Sequence, residues 1–200
     1  MNVKNNLEAL GVEVNLHTNK NWRQITKTRF IDLKTNHMFM RLDQRDDEYG
    51  KINLQDFDLQ KYDAVIISDY NKGFMSEDDM DYISKNSKLS FLDTKRRLGS
   101  WCDDFSFIKI NHLEYERTKS TITDKILKNL IVTRGPRGCA YNGKTYAVGL
   151  VEVKDTSGAG DTFVAALCFK YVLTGDMDKS IHFANECSTT VVQRMGVATI

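Results

Sequence analysis

The sequence is short of the features that would point away from an ordinary soluble globular protein. No apolar run approaches the ~20 residues that a membrane-spanning helix needs, and the opening residues carry no signal-peptide pattern. Lys and Arg number 28 against 27 Asp and Glu, so no one-signed field exists to draw nucleic acid or an anionic membrane. The four cysteines, at 102, 139, 168 and 187, form no C-x-x-C pair, and Cys168 and Cys187 fall in apolar helical patterns. A reduced, cytoplasmic protein is the expectation. The four histidines are scattered, with no partner at metal-ligand spacing, so no protein-bound metal is expected. Pro136 is the only proline, and no repeat, low-complexity tract or Pro/Gly/Ser linker divides the chain, which points to one domain over residues 1–200.

What is present is an alternation of strand and helix patterns. Residues 1–11 read as a helix, with Val3, Leu7 and Leu10 at helical spacing and Gly11 closing it. Residues 12–50 carry short alternating stretches, 12–16, 25–31 and 38–42. The last two flank a polar turn at 34–36 and predict a hairpin with one half-buried face. From 50 onward come apolar strands at 63–68, 89–92, 107–110 and 129–133, with a helix from a Ser76 cap to about Asn86. The pattern predicts a doubly wound α/β sheet, mostly parallel and flanked by helices, with a small β excursion. In such sheets ligands gather beyond the carboxyl ends of the strands.

The most informative stretch is Asp155-Thr-Ser-Gly-Ala-Gly-Asp-Thr-Phe163. Two glycines feed a helix start, which aims several backbone N–H groups at one spot and suits an anion. Asp161 falls in the first helical turn. A carboxylate there fits proton abstraction from a hydroxyl while the loop holds a transferring phosphoryl group. It equally fits an acid that complements the helix dipole beside an ordinary glycine turn. A second glycine pattern, Gly138-Cys-Ala-Tyr-Asn-Gly-Lys-Thr145, satisfies the P-loop formula. Residues 146–153 partly alternate as a strand does, and Asn142-Gly143 is a favoured hairpin turn, so 137–153 reads as a hairpin instead. Helices are expected at 161–173, apolar nearly all round, and at 177–194.

The nine residues 155–163 resemble the C-terminal signature of the ribokinase-like (PfkB) carbohydrate kinases. That resemblance makes Asp161 the catalytic base and the amides of Gly158, Ala159 and Gly160 the anion hole. Asn111 and Glu114, at N-x-x-E spacing, resemble the motif associated with magnesium-bound phosphates. The same two residues also fit a helix cap and its N3 partner. Thr133, Gly135 and Gly138 resemble the family's nucleotide-binding turn, and Asn185 is placed near its adenine contacts. Asp69 and Lys72, in Ser68-Asp-Tyr-Asn-Lys-Gly73, resemble the loop at the sugar–phosphate boundary. Lys27-Thr-Arg29 and Arg41-Leu-Asp43 resemble segments around the lid of the heptose-phosphate kinases. A solvated strand edge explains Lys27 and Arg29 equally well. Gly196–Ile200 resembles the family's terminal strand.

The resemblance therefore implies ATP and Mg²⁺ as cofactors, the ion lying near Glu114 and held by no dedicated protein site. It implies a sugar or sugar phosphate as acceptor, and residues 12–50 as a small β lid through which two copies pair. The family's opening strand and paired-glycine sugar motif are not found before residue 11, so an N-terminally shortened kinase, or a non-catalytic nucleotide-binding remnant of one, is expected. A dinucleotide oxidoreductase fits poorly, since Gly158-Ala-Gly160 lacks the third glycine and the acid ~20 residues on.

Overall fold

Successive strands of the sheet carry apolar residues on both faces, and this dictates two layers of helices. The computed structural model describes residues 1–32, 34, 35, 37–45, 50–55 and 57–200. It opens with helix α1 (Asn2–Ala9) and, after an irregular stretch, an antiparallel ribbon of β1 (Thr26–Ile31) and β2 (Met38–Gln44). The body continues as β3 (Val65–Asp69), α2 (Glu77–Asn86), β4 (Ser90–Thr94), β5 (Phe107–Asn111), α3 (His112–Thr118), α4 (Asp124–Asn129) and β6 (Leu130–Thr133). The hairpin β7 (Cys139–Tyr141) and β8 (Lys144–Tyr146) leads to α5 (Ala159–Thr174) and α6 (Met177–Val191). The sheet runs β3-β4-β5-β6-β7-β8, parallel from β3 to β6 and antiparallel beyond.

Side chains alternate across a strand with period two. Leu92, Ile108, Ile110, Leu130 and Val132 therefore face one way, onto Met80 and Ile83 of α2 and Ile126 of α4. Phe91, Phe107 and Ile131 face the other way, onto Phe163, Val164 and Leu167 of α5 and Ile181 and Ala184 of α6. The first half of α5 has no polar stripe because it is buried between sheet, α1 and α6. Burial of this kind, rather than helix propensity, holds such a helix in place.

Local signals agree with the layers. Ser76 and Asp79 cap α2 reciprocally: the Asp79 amide donates to Ser76 Oγ at 3.1 Å and the Ser76 amide to Asp79 Oδ2 at 2.8 Å. Asn142 and Gly143 both take positive φ, 46° and 75°, the turn a tight hairpin requires. The P-loop formula at 138–145 is thus a β-hairpin, and Thr145 lies inside β8 rather than at the start of a helix.

Four expectations change. The ribbon has no half-buried face: Phe30, Met38, Phe39 and Met40 are all exposed, because no layer among the described residues covers them. Its expected turn at 34–36 includes residue 36, which lies outside the described residues, as do 33 and 46–49 within the expected lid. Residues 12–16 form no strand. The hairpin ends at Tyr146, and 147–155 reaches α5 without strand pairing, held where the Lys154 amide donates to the Val192 carbonyl at 2.8 Å. Residues 196–200 do not extend the sheet. They lie against α1 instead, where the Ile200 amide donates to Asn6 Oδ1 at 3.1 Å.

Candidate active site

The parallel register lines up polar residues along the carboxyl edge of the sheet. Ser68 pairs with Asp93, Asp93 with Lys109, and Asn111 with Thr133. The two-residue alternation that sends Phe91 and Phe107 toward α5 sends Asp93 and Lys109 the same way, to the helix's first turn. Lys109 Nζ donates to Asp93 Oδ2 at 3.0 Å, with only 5% and 8% of the two side chains exposed. Burial pushes the Asp93 carboxyl above the usual carboxylate range, although the Lys109 and Lys95 ammonium groups pull it down. Asp93 Oδ1 is buried with no hydrogen-bond partner among the described residues.

The loop before α5 is shaped by its acid and its glycines. Asp155 Oδ1 accepts from the Ser157 amide at 2.8 Å and Oδ2 from the Gly196 amide at 3.1 Å. Burial works against the Asp155 charge, but these bonds and the nearby Arg29 guanidinium hold its pKa below the ordinary value. Gly158 caps the helix at φ 83°, a left-handed conformation that favours glycine. At Gly160 a Cβ would stand 2.8 Å from Lys109 Nζ, so the missing side chain is what admits a buried ammonium behind the turn. The Ala159 amide bends back to the Thr156 carbonyl at 3.3 Å. The amides of Gly160 and Asp161 are first-turn donors without an intrahelical acceptor.

Asp161 is buried at the head of α5. Asn2 Nδ2 donates to its Oδ2 at 2.9 Å, and the Tyr70 hydroxyl reaches Oδ1 at 3.2 Å and Oδ2 at 3.4 Å. It forms one wall of a cleft of about 1720 Å³, together with Gly158, Tyr70 and Lys95. Lys27, Arg29, Arg41 and Lys72 line the same cleft, so the two lid residues singled out from the sequence do meet Asp161 across one space.

Other expected site residues are placed elsewhere or already engaged. Asp69 is a latch: its Oδ2 accepts from Thr94 Oγ1 at 2.8 Å and Arg96 Nε at 2.9 Å, and its Oδ1 from the Asn71 amide at 3.0 Å. Asn111 and Glu114 form a reciprocal capping box on α3, and Glu114 Oε1 also takes Lys95 Nζ. Asn185 is buried and donates to the Tyr146 carbonyl at 3.2 Å. Thr133 Oγ1 turns to the Ile110 carbonyl at 3.4 Å. Gly135 and Gly138 shape the turn after β6, and a Cβ at Gly138 would fall 1.9 Å from the Tyr146 carbonyl oxygen. Asn111, Glu114, Thr133, Gly135, Gly138 and Asn185 do not line the large cleft, and lie along or behind the sheet edge next to it.

Sequence reasoning missed Asn2, Tyr70 and the Asp93–Lys109 pair. A lysine between two isoleucines in a strand buried on both faces was a usable signal for the pair. Nothing in the spacing marked Asn2. The donors present, Lys95, Lys109 and the first-turn amides, suit a polyphosphate. Among the described residues no group of three or more His, Cys, Asp or Glu could hold a metal ion.

Comparison with known proteins shows the family and the fold. The family model described as pfkB family carbohydrate kinase matches residues 2–200. A curated relative, the bifunctional protein HldE of Marinomonas sp. (strain MWYL1), is 29% identical over 97% of this chain and 46% of its own length. The chain thus spans about half the length of the curated relatives it matches. Among solved structures, the Burkholderia thailandensis nucleoside kinase in complex with inosine superimposes with TM-score 0.69 at 14% identity, covering 98% of this chain and 80% of that one. The Arabidopsis thaliana ribokinase complexed with ribose and ATP gives TM-score 0.55 at 21% identity, covering 67% and 51%. These two show the fold.

Proposed function

We propose, from the premise that this chain belongs to the pfkB family of carbohydrate kinases, that it transfers the γ-phosphoryl group of ATP to a hydroxyl of a sugar phosphate, heptose 7-phosphate being the leading acceptor. The observation that carries this reading is the buried Asp161 carboxylate at the head of α5, facing a cleft that Lys27, Arg29, Arg41 and Lys72 also line. Asp43 offsets part of this charge through Lys27 and Arg41, and the positive balance that is left suits a phosphorylated sugar better than a neutral one, turning it hydroxyl-first toward the helix.

Asp161 would accept the proton of the attacking hydroxyl. The first-turn amides, backed by Lys109 beneath Gly160, would hold charge on the transferring group, and Lys95 would neutralise the phosphates beyond it. Mg²⁺, when bound with ATP, supplies further neutralisation of the β- and γ-oxygens. Thr133 and Gly135, at the edge beside Asn111, would flank the rest of the nucleotide. Asp69 fixes the Tyr70–Lys72 loop in this reading and does not touch the acceptor. The exposed apolar ribbon would pair with that of a second copy, closing the cleft.

The test is turnover of ATP and Mg²⁺ with heptose 7-phosphate, with the unphosphorylated heptose alongside. Asp161→Asn should lower kcat by ~10²-fold or more, the size of a positioned base. An unchanged rate would exclude Asp161 from that role. Saturable ATP binding by calorimetry without transfer to any sugar phosphate would leave the alternative, a nucleotide-binding remnant.

A further inference from the structure

The loop after β3 is built to place one side chain. It passes through the left-handed region at Asn71 (φ 53°) and Gly73 (φ 89°), and the Asp69 latch to Thr94 and Arg96 pins its root. Tyr70 is thereby carried over the first turn of α5. About half of its surface is exposed, yet its hydroxyl end lies between the two Asp161 oxygens, 3.2 and 3.4 Å away. Its phenol pKa is raised by burial, then by the Asp161 and Asp93 charges, so it stays protonated and donates. On its other side Lys27 Nζ, from the ribbon, stands 5.9 Å from the ring centroid.

A general base must offer an oxygen within about 2.6–3.2 Å of the proton it takes. Asn2 holds Oδ2, and Tyr70 spans both oxygens from the cleft side, where an acceptor must approach. Taking Asp161 as the base, as proposed above, we infer that Tyr70 is a positioning residue whose hydroxyl occupies the acceptor hydroxyl's place at rest, and that acceptor binding exchanges one hydroxyl for the other. One hydrogen bond to the carboxylate replaces another, so the exchange costs little. Lys27 couples it to the ribbon, because an acceptor phosphate that draws Lys27 away also removes the cation from the tyrosine ring.

The charged groups around this contact are Asp93 and Lys95 from the end of β4, Lys109 from β5, Glu114 from α3 and Lys27 from β1. All are retained in Tyr70→Phe, which also keeps the ring and removes only the hydroxyl. The experiment compares the carbon-13 resonance of the Asp161 carboxyl in the parent and in Tyr70→Phe at neutral pH. Loss of a hydrogen-bond donor to the carboxylate should move that resonance. An identical resonance in the two proteins overturns the contact, and a generic packing role for the ring predicts that result. Saturating heptose 7-phosphate should also shift the Tyr70 Cζ resonance of the parent. An unmoved Tyr70 resonance, with an acceptor that is turned over, overturns the exchange. If no sugar phosphate is turned over, the kinase reading fails and the exchange falls with it, while the carboxyl resonance still decides the contact.

Discussion

Replacing Lys109 by methionine keeps most of the buried stem and removes the ammonium alone. Asp93 would then sit 92–94% buried, with one oxygen already unpartnered and the other deprived of its 3.0 Å donor. Breaking a buried pair by removing one member costs about 3–5 kcal/mol. In a domain of this size that is a fall in Tm of roughly 6–20 °C. The pH dependence has a definite sign. Burial raises the Asp93 pKa in the folded chain above its ordinary 3.8, and without Lys109 less opposes that rise. A group whose folded pKa is raised gives its full stability below the unfolded value, and that stability is lost as pH rises through the folded one. Lys109→Met should therefore melt closer to the parent at pH 5 than at pH 8. Thermal melts monitored by circular dichroism at both pH values would measure this, with Lys109→Met/Asp93→Asn beside the single variant. The double variant should recover at least half of the loss at pH 8, since it no longer buries an unpaired charge. A single variant within about 2 °C of the parent, a span of roughly 1 kcal/mol or less, would refute the reasoning. So would a loss equal at both pH values and unrelieved by Asp93→Asn.

Gly138→Ala places a methyl 1.9 Å from the Tyr146 carbonyl oxygen at a backbone conformation (φ 75°, ψ −130°) that is essentially glycine's alone. It should cost more than about 3 kcal/mol in denaturant unfolding, and a loss under about 1 kcal/mol on the same scale would show that the turn relaxes. Phe39, 70% exposed on the ribbon, should be central to pairing of two copies. Phe39→Glu should convert a dimer to a monomer in sedimentation equilibrium, and a parent already monomeric at micromolar concentration would remove the ribbon as a pairing surface.

Much of the fold was legible because its signals are local. Continuous apolar runs marked the buried strands β3 to β6, the Ser76 cap marked the start of α2, and Asn142-Gly143 marked the hairpin against the competing P-loop formula. The ribbon was legible as strands but not as an exposed element, because its burial depends on a neighbour that alternation cannot name. The tail at 196–200 has strand-like composition, yet Asn6 of α1 takes the Ile200 amide that a sheet would have used.

The candidate site divides in the same way. Contiguous residues 155–163 carry their own geometry, since a glycine turn and a helix start bring amides and the Asp161 carboxylate together within a few residues. The sequence by itself therefore determined the α/β class, the family and where the proposed base, Asp161, stands in the chain. Only the tertiary structure decided what surrounds that carboxylate. Asn2 lies 159 residues from Asp161 and Tyr70 lies 91 away, while Lys109 meets Gly160 through a register set by three neighbouring strands. Tertiary structure likewise assigned Asp69 to a latch and brought Lys95 to Glu114, whose cap with Asn111 the N-x-x-E spacing had already allowed. Such contacts come from how layers stack and strands align, and no spacing within one segment encodes them.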